Sequence, residues 1–85
     1  MENIGFGVWE NAVDISALHI KNADFENKKM ADGERVEVKE IDDDLLHINQ
    51  HIAFMLKDLY ASDVDKKIEE NFLKHIQKHR DRQGE

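Results

Sequence analysis

Residues 42–60, DDDLLHINQHIAFMLKDLY, contain the strongest structural signal in the chain. Three consecutive aspartates suit the N-cap and first turn of a helix, where carboxylates interact favourably with free backbone N–H groups. Apolar residues then recur at three- and four-residue steps, as they do on one face of a helix. They are Leu45, Ile48, Ile52, Met55, Leu56 and Leu59. The pattern predicts an amphipathic helix over about residues 43–60.

A second helix is predicted downstream, over about residues 63–80. The segment ASDVD, residues 61–65, interrupts the apolar pattern, and Ser62 with Asp65 resembles a capping box. Because the connection between the two helices is short, we expect them to pack as an antiparallel hairpin. The second helix has its own apolar stripe, made of Val64, Ile68, Phe72 and Ile76.

A third helix is predicted upstream, over about residues 10–32, because no helix-breaking residue occurs there before Gly33. Residues 34–41 alternate valine with charged residues, which predicts an extended connector. Residues 1–9 are apolar and glycine-punctuated, and we expect an N-terminal arm. The predicted fold class is all-α: one small helical domain, residues 10–85, in which a helix precedes a C-terminal antiparallel helical hairpin.

Composition narrows the classes of partner. The chain has 85 residues, a net charge of −7 and no cysteine. An acidic chain is a poor ligand for the nucleic-acid backbone, so no direct nucleic-acid binding is expected. No membrane partner is expected either, because no apolar run approaches the roughly 20 residues of a membrane span. The first residues lack the features of a signal peptide, so we predict a protein that is not secreted.

Four of the five histidines lie in two pentads, HINQH at residues 47–51 and HIQKH at residues 75–79. Residues four apart share a helix face, so each pair can reach one point. Three interpretations follow. The histidines are packed between helices and hydrogen-bonded to Asp43, Asp44 or backbone; they contact a partner, including as a protonation switch near pH 6; or they bind zinc or nickel.

The helical wheel favours the first interpretation of the histidines. His75 and His79 fall within the apolar stripe of their helix, whereas His47 and His51 fall beside theirs. The four rings are therefore not expected to converge on their own. We predict no cofactor and no metal site, and keep these four histidines as the candidate ligands should one exist.

Catalytic motifs are weak. Ser16, Asp14 and His19 lie on a predicted helix without any signal for an oxyanion hole. Neither pentad has a glutamate directly after its first histidine, so the metalloprotease motif is missing. We predict that the protein is not an enzyme.

The order of motifs is similar to that of a known family. ADFENKKMADG, residues 23–33, precedes the acidic pair Asp42-Asp43 and the first pentad, and the second pentad lies within FLKHIQKH, residues 72–79. Over about residues 23–80 this order resembles the C-terminal region of tailed-bacteriophage portal proteins. Asp44 stands where the family often has a histidine, and residues 1–22 show no match.

The resemblance implies a non-enzymatic phage or prophage protein that acts by protein–protein association in virion head assembly. Its location would be the virion or the host cytoplasm, and its partner a copy of itself or another phage or host protein. The predicted protein-binding residues are His47, His51, Phe54, Tyr60, His75 and His79.

An alternative interpretation is a small acidic phage-encoded inhibitor of a host nucleic-acid enzyme, comparable to an anti-CRISPR protein. Its carboxylates would stand where the phosphates of the nucleic acid bind. The acidic surface that would do this comprises Glu34, Glu37, Glu40, Asp42, Asp43 and Asp44.

Overall fold

The computed structural model describes residues 14–84, which form three α-helices. Helix α1 spans Ile15–Ala31, α2 spans Asp44–Phe54 and α3 spans Lys66–Gln83. A π-helical turn, Met55–Leu59, continues α2. Within residues 14–84 no strand occurs, and the predicted all-α fold class is confirmed. The predicted N-terminal arm, residues 1–9, lies outside the described residues.

Helices α2 and α3 form the predicted antiparallel hairpin. Ring contacts run in opposite directions along the two helices: His47 lies against His79 at 5.0 Å between centroids, and His51 against His75 at 4.8 Å. Further along, the Phe54 and Phe72 rings stack at 5.6 Å. Helix α1 packs against both helices of the hairpin.

The ends of α1 follow from two residues. Asp14 is extended, and its side chain accepts a hydrogen bond from the Ala17 N–H at 3.2 Å, so the helix begins at Ile15. The start near residue 10 that the sequence predicts lies outside the described residues. The helix ends at Ala31, next to the predicted end at residue 32. Gly33 follows with a φ of 93°, a conformation that favours glycine.

Aspartates cap the other two helices. Asp43 accepts a hydrogen bond from the Leu46 N–H at 3.1 Å, as its place before the apolar run suggests. The predicted Ser62 cap of α3 is wrong: the helix starts at Lys66, and Asp65 is the cap, accepting from the Lys67 N–H at 2.7 Å. The second helix therefore starts three residues later than predicted.

A compact apolar core lies between the three helices. It comprises Met30, Ile48, Met55, Leu59, Phe72 and Ile76. Leu45 and Leu56, which the pattern places on the inner stripe, are 56% and 67% exposed. Helix α1 turns its bulkiest apolar residues outward and presents Ala23, Glu26, Asn27 and Met30 to the bundle.

The connector between α1 and α2 is held by the basic end of α3. Arg82 donates to the backbone carbonyls of Lys39 and Glu40. Lys78 pairs with Glu37 at 3.7 Å, so an acidic residue of the connector also contacts the basic end of α3. None of the described helices is long and apolar enough to span a membrane.

Candidate metal centre

The histidines of both pentads meet in the interior. His47, His51 and His79 are fully buried, and His75 is 3% exposed. The prediction that they do not converge is wrong, because α1 covers the flank on which His47 and His51 lie and makes it a second inner face. Their assignment as protein-binding residues is also wrong, since buried side chains are out of reach of a partner.

Glu26 of α1 stands at the centre of these rings. Its Oε1 atom lies 3.3 Å from His47 Nδ1, 3.5 Å from His51 Nε2 and 3.4 Å from His75 Nε2. The other oxygen, Oε2, accepts a hydrogen bond from Lys39 Nζ at 3.1 Å. One carboxylate oxygen is thus held by a lysine, and the other faces three imidazoles.

Hydrogen bonds on the outer side of the cluster fix the protonation of two rings. The Asn27 amide nitrogen donates to the Gln50 carbonyl, so its Oδ1 is the acceptor for His51 Nδ1 at 2.7 Å. His75 Nδ1 lies 2.8 Å from the Val36 carbonyl, which can only accept. Both rings carry their proton on Nδ1, and Nε2 presents a lone pair to Glu26.

His79 is oriented in the same way. Its Nδ1 lies 2.6 Å from Asp44 Oδ1, and Asp44 is itself paired with Arg82 Nε at 3.5 Å. A carboxylate behind an imidazole fixes the ring and raises its basicity as a ligand. His79 Nε2 therefore points inward, 3.3 Å from His75 Nε2.

His47 lies between two carboxylates. Its Nε2 is 3.5 Å from Asp42 Oδ1, on the side opposite Glu26. Asp42 is buried, and its Oδ2 accepts a hydrogen bond from the Lys39 N–H at 2.9 Å. With a proton on Nε2 facing Asp42, His47 also presents a lone pair, on Nδ1, to the centre.

The centre therefore contains buried polar atoms without hydrogen-bond partners. Glu26 Oε1, His51 Nε2 and both ring nitrogens of His47 are buried and have no hydrogen-bond partner. Lone pairs that face one another at 3.3–3.5 Å repel unless a positive charge lies between them. A cation at the centre would give Glu26 Oε1, His51 Nε2 and His47 Nδ1 a partner.

Burial and neighbouring groups favour the metal-binding protonation states of Glu26, His51 and His79. Burial alone would raise the pKa of Glu26, but its hydrogen-bonding neighbours, Lys39 among them, hold that pKa far below its usual range. Burial lowers the pKa of both His51 and His79, and the neighbouring rings lower it further. An ionised carboxylate and neutral imidazoles are the metal-binding forms.

The spacing of the donors suits a four-coordinate ion. With metal–ligand bonds of about 2.0–2.1 Å, neighbouring ligands of a tetrahedral site are roughly 3.3 Å apart. Glu26 Oε1 is 3.4 Å from His75 Nε2, which is 3.3 Å from His79 Nε2. Two overlapping triads bring their donor atoms within 4.8 Å of one another. They are Glu26, His51 and His75, and His47, His51 and His79.

Sequence reasoning missed Glu26 and Asn27. Both lie in α1, whose large apolar residue Phe25 is exposed on the outer face. The usable signal was the spacing of Ala23, Glu26 and Met30, three and four residues apart, which puts a glutamate on the inner face.

The remaining predicted site residues do not lie together on one surface. Asp42 is buried and Asp44 is paired with His79 and Arg82, so the acidic run does not form one surface. Phe54, predicted as a protein-binding residue, is half-buried against Phe72. Tyr60 is 46% exposed. Glu34, Glu37, Glu40 and Asp43 are exposed.

Fold and site together define a small three-helix bundle built around a buried histidine–carboxylate centre. Comparison with protein-family models, with curated proteins and with solved structures finds no match to this chain.

Proposed function

We propose that this chain is a metal-binding helical module in which one divalent cation joins α1 to the α2–α3 hairpin. The observation that supports the proposal is the set of inward-facing donors on Glu26 and the two pentads, which form triads with donor atoms within 4.8 Å of one another. Four of the buried atoms, Glu26 Oε1, His51 Nε2 and both ring nitrogens of His47, have no hydrogen-bond partner. Each histidine is backed by a hydrogen-bond acceptor or carboxylate, an arrangement typical of metal ligands.

Energetics favour a cation at this place. An unsatisfied buried polar group costs about 1–3 kcal/mol, and four such atoms are present. A domain of this size buries a limited core and often needs a staple such as a structural metal. Binding the ion turns a destabilising cluster into cross-links between three helices.

The donor set selects the class of metal. Imidazole nitrogens with one carboxylate suit zinc and its first-row neighbours, nickel and cobalt, whereas magnesium and calcium prefer oxygen ligands. The donor spacing near a tetrahedral edge favours Zn²⁺ among these. The ligands are enclosed, which is typical of structural rather than catalytic zinc sites.

The test is thermal unfolding of the EDTA-treated chain with and without Zn²⁺. At a free Zn²⁺ concentration about 100 times Kd, binding adds about 2.7 kcal/mol to the unfolding free energy. For a domain of this size that is a rise in Tm of about 10–20 °C. Glu26→Gln and His75→Ala should lose the rise, and the exposed control Glu70→Gln should keep it. No rise with Zn²⁺, Ni²⁺ or Co²⁺ would refute the proposal.

A second function, protein association, is compatible with this one. The outer face of α1 exposes Ile15, Leu18 and Phe25 by 59%, 52% and 59%. This apolar face supports the portal-like association module that the sequence resemblance implies, with a copy of this chain as the partner. Sedimentation should show concentration-dependent self-association that Phe25→Glu abolishes and that Lys57→Glu, in the π-helical turn, leaves in place. A monomer at every concentration would count against it.

A further inference from the structure

A second group of donors adjoins the buried centre, on the far side of His47. One donor atom from each of His19, Asp42 and His47 lies within 4.8 Å of the others. The His19 and His47 rings meet edge to face, with centroids 5.8 Å apart. His47 Nε2 is 3.5 Å from Asp42 Oδ1.

His47 connects this group to the centre. Both of its ring nitrogens are buried and have no hydrogen-bond partner, and each faces a different carboxylate. A neutral imidazole has one proton, so it can satisfy Asp42 or Glu26 but not both. A ring with one nitrogen in each group is suited to bind a cation on both sides.

The outer group differs from the centre in its access to solvent. His19 is partly exposed, and with Asp42 it lines a surface cavity of about 520 Å³. Leu18 and Asn22 form part of its wall. His19 Nδ1 accepts only a long hydrogen bond, 3.4 Å from the Asp43 N–H, which a metal ligand bond would outweigh.

We propose that His19, Asp42 and His47 bind a second divalent cation of the zinc class, with water at the remaining position. His47 bridges the two sites through Nδ1 and Nε2, and its ring proton passes to solvent when the second ion binds. The inner site is closed and the outer site is open. The outer site goes beyond the proposed function and shares only His47 with it.

Metal stoichiometry tests this proposal. The full chain, titrated with Zn²⁺ and weighed by native mass spectrometry, should bind two equivalents. His19→Ala should bind one, with the Zn²⁺-dependent rise in Tm retained, because the inner ligands are untouched. Asn22→Ala, which changes the same cavity wall without removing a donor, should bind two.

Amide NMR of the unmodified chain provides a readout that does not depend on variants. The second equivalent of Zn²⁺ should shift the Asp43 amide, which donates to His19, after the first has shifted residues near Glu26. The outer site is overturned if His19→Ala still binds two equivalents, or if the wild-type chain binds only one and His19→Ala keeps it. If the wild-type chain binds only one equivalent, which Glu26→Gln keeps and His19→Ala loses, the outer site stands and the inner one fails.

Discussion

Asn27 shows how a single residue outside the metal ligands shapes the centre. It is fully buried, and its Oδ1 accepts the proton of His51 Nδ1 at 2.7 Å, which leaves His51 Nε2 free as a ligand. Asn27→Ala removes that acceptor. We expect the unfolding free energy to fall by about 1–3 kcal/mol, and zinc affinity to fall about 10–100-fold. Titration calorimetry with Zn²⁺ and urea unfolding measure the two effects.

Asn71→Ala is the matched control for this prediction. The Asn71 amide donates to the Glu34 carbonyl at 2.8 Å, beyond the end of α1, and makes no hydrogen bond to a histidine. The control should lose stability and keep its zinc affinity. Equal affinities for the two variants would show that Asn27 does not orient a ligand.

Tyr60 and Glu69 form a surface pair whose effect can be read optically. The Tyr60 hydroxyl donates to Glu69 Oε2 at 2.6 Å, and this hydrogen bond to a carboxylate raises the pKa of Tyr60. Because the raised pKa belongs to the folded state, the stability it contributes is present below the usual tyrosine pKa and is lost as the pH rises through the folded value.

Glu69→Gln should lower the pKa of Tyr60 toward the ordinary value of about 10, since the carboxylate that opposes the phenolate is gone. Phenolate absorbance reports this residue alone, because the chain contains one tyrosine. Glu70→Gln should leave the titration in place. An unchanged midpoint in Glu69→Gln would contradict the hydrogen bond.

At the scale of elements, the end of α1 depends on one glycine. Gly33 has a φ of 93°, and its N–H donates to the Met30 carbonyl at 3.0 Å. A Cβ there would meet Ile68 Cδ1 at 3.8 Å, an ordinary contact, so the cost of Gly33→Ala is in the backbone. We expect a loss of about 1–2 kcal/mol in urea unfolding.

Gly84, which follows the C-terminal end of α3, is the control for Gly33. Gly84 has a φ of −71°, which any residue adopts, so Gly84→Ala should change stability by less than about 0.5 kcal/mol. Similar losses for the two variants would show that the conformation of Gly33 is not the cause.

How well the sequence predicts each helix depends on whether the residues buried on its inner face are apolar or polar. The spacing of the apolar residues Phe72 and Ile76 predicts the inner face of α3 correctly, since both side chains are buried. Helix α1 buries Glu26 and Asn27 beside Ala23 and Met30, so its inner face is partly polar. Its large apolar residues are exposed, and their spacing therefore does not identify the buried face. Apolar periodicity finds a face that is buried for hydrophobic reasons and misses one that is buried for its chemistry.

At the scale of the whole molecule, the sequence predicts the positions of two of the four clustered histidines and misses the other two. Spacing alone places His75 and His79 on the hairpin seam, and the acidic start of α2 beside the basic end of α3. Convergence of His47 and His51 with them needs a third helix over their flank. That packing is long-range information that neither pentad contains.

The buried cluster also sets how the metal-free molecule responds to acid. His51 and His79 have folded-state pKa values below the ordinary value, chiefly because burial disfavours their charged forms. Below the ordinary histidine pKa of about 6.5, the unfolded chain therefore binds more protons than the folded chain, and the unfolding free energy falls with pH. Glu26, with its depressed pKa, adds to the loss only at pH values below about 4.5.

The prediction is that urea midpoints of the EDTA-treated chain decrease steadily from pH 7 to pH 5. The unfolding free energy derived from these curves should fall by up to about 1.4 kcal/mol per pH unit for each histidine that becomes charged on unfolding. Zn²⁺ should move the onset of the decrease to lower pH, since protons must then displace the ion from its ligands. A midpoint that stays constant between pH 7 and pH 5 in EDTA would mean that these rings are charged in the folded state. In that case protons would balance Glu26, and the case for a cation at the centre would lose its electrostatic basis.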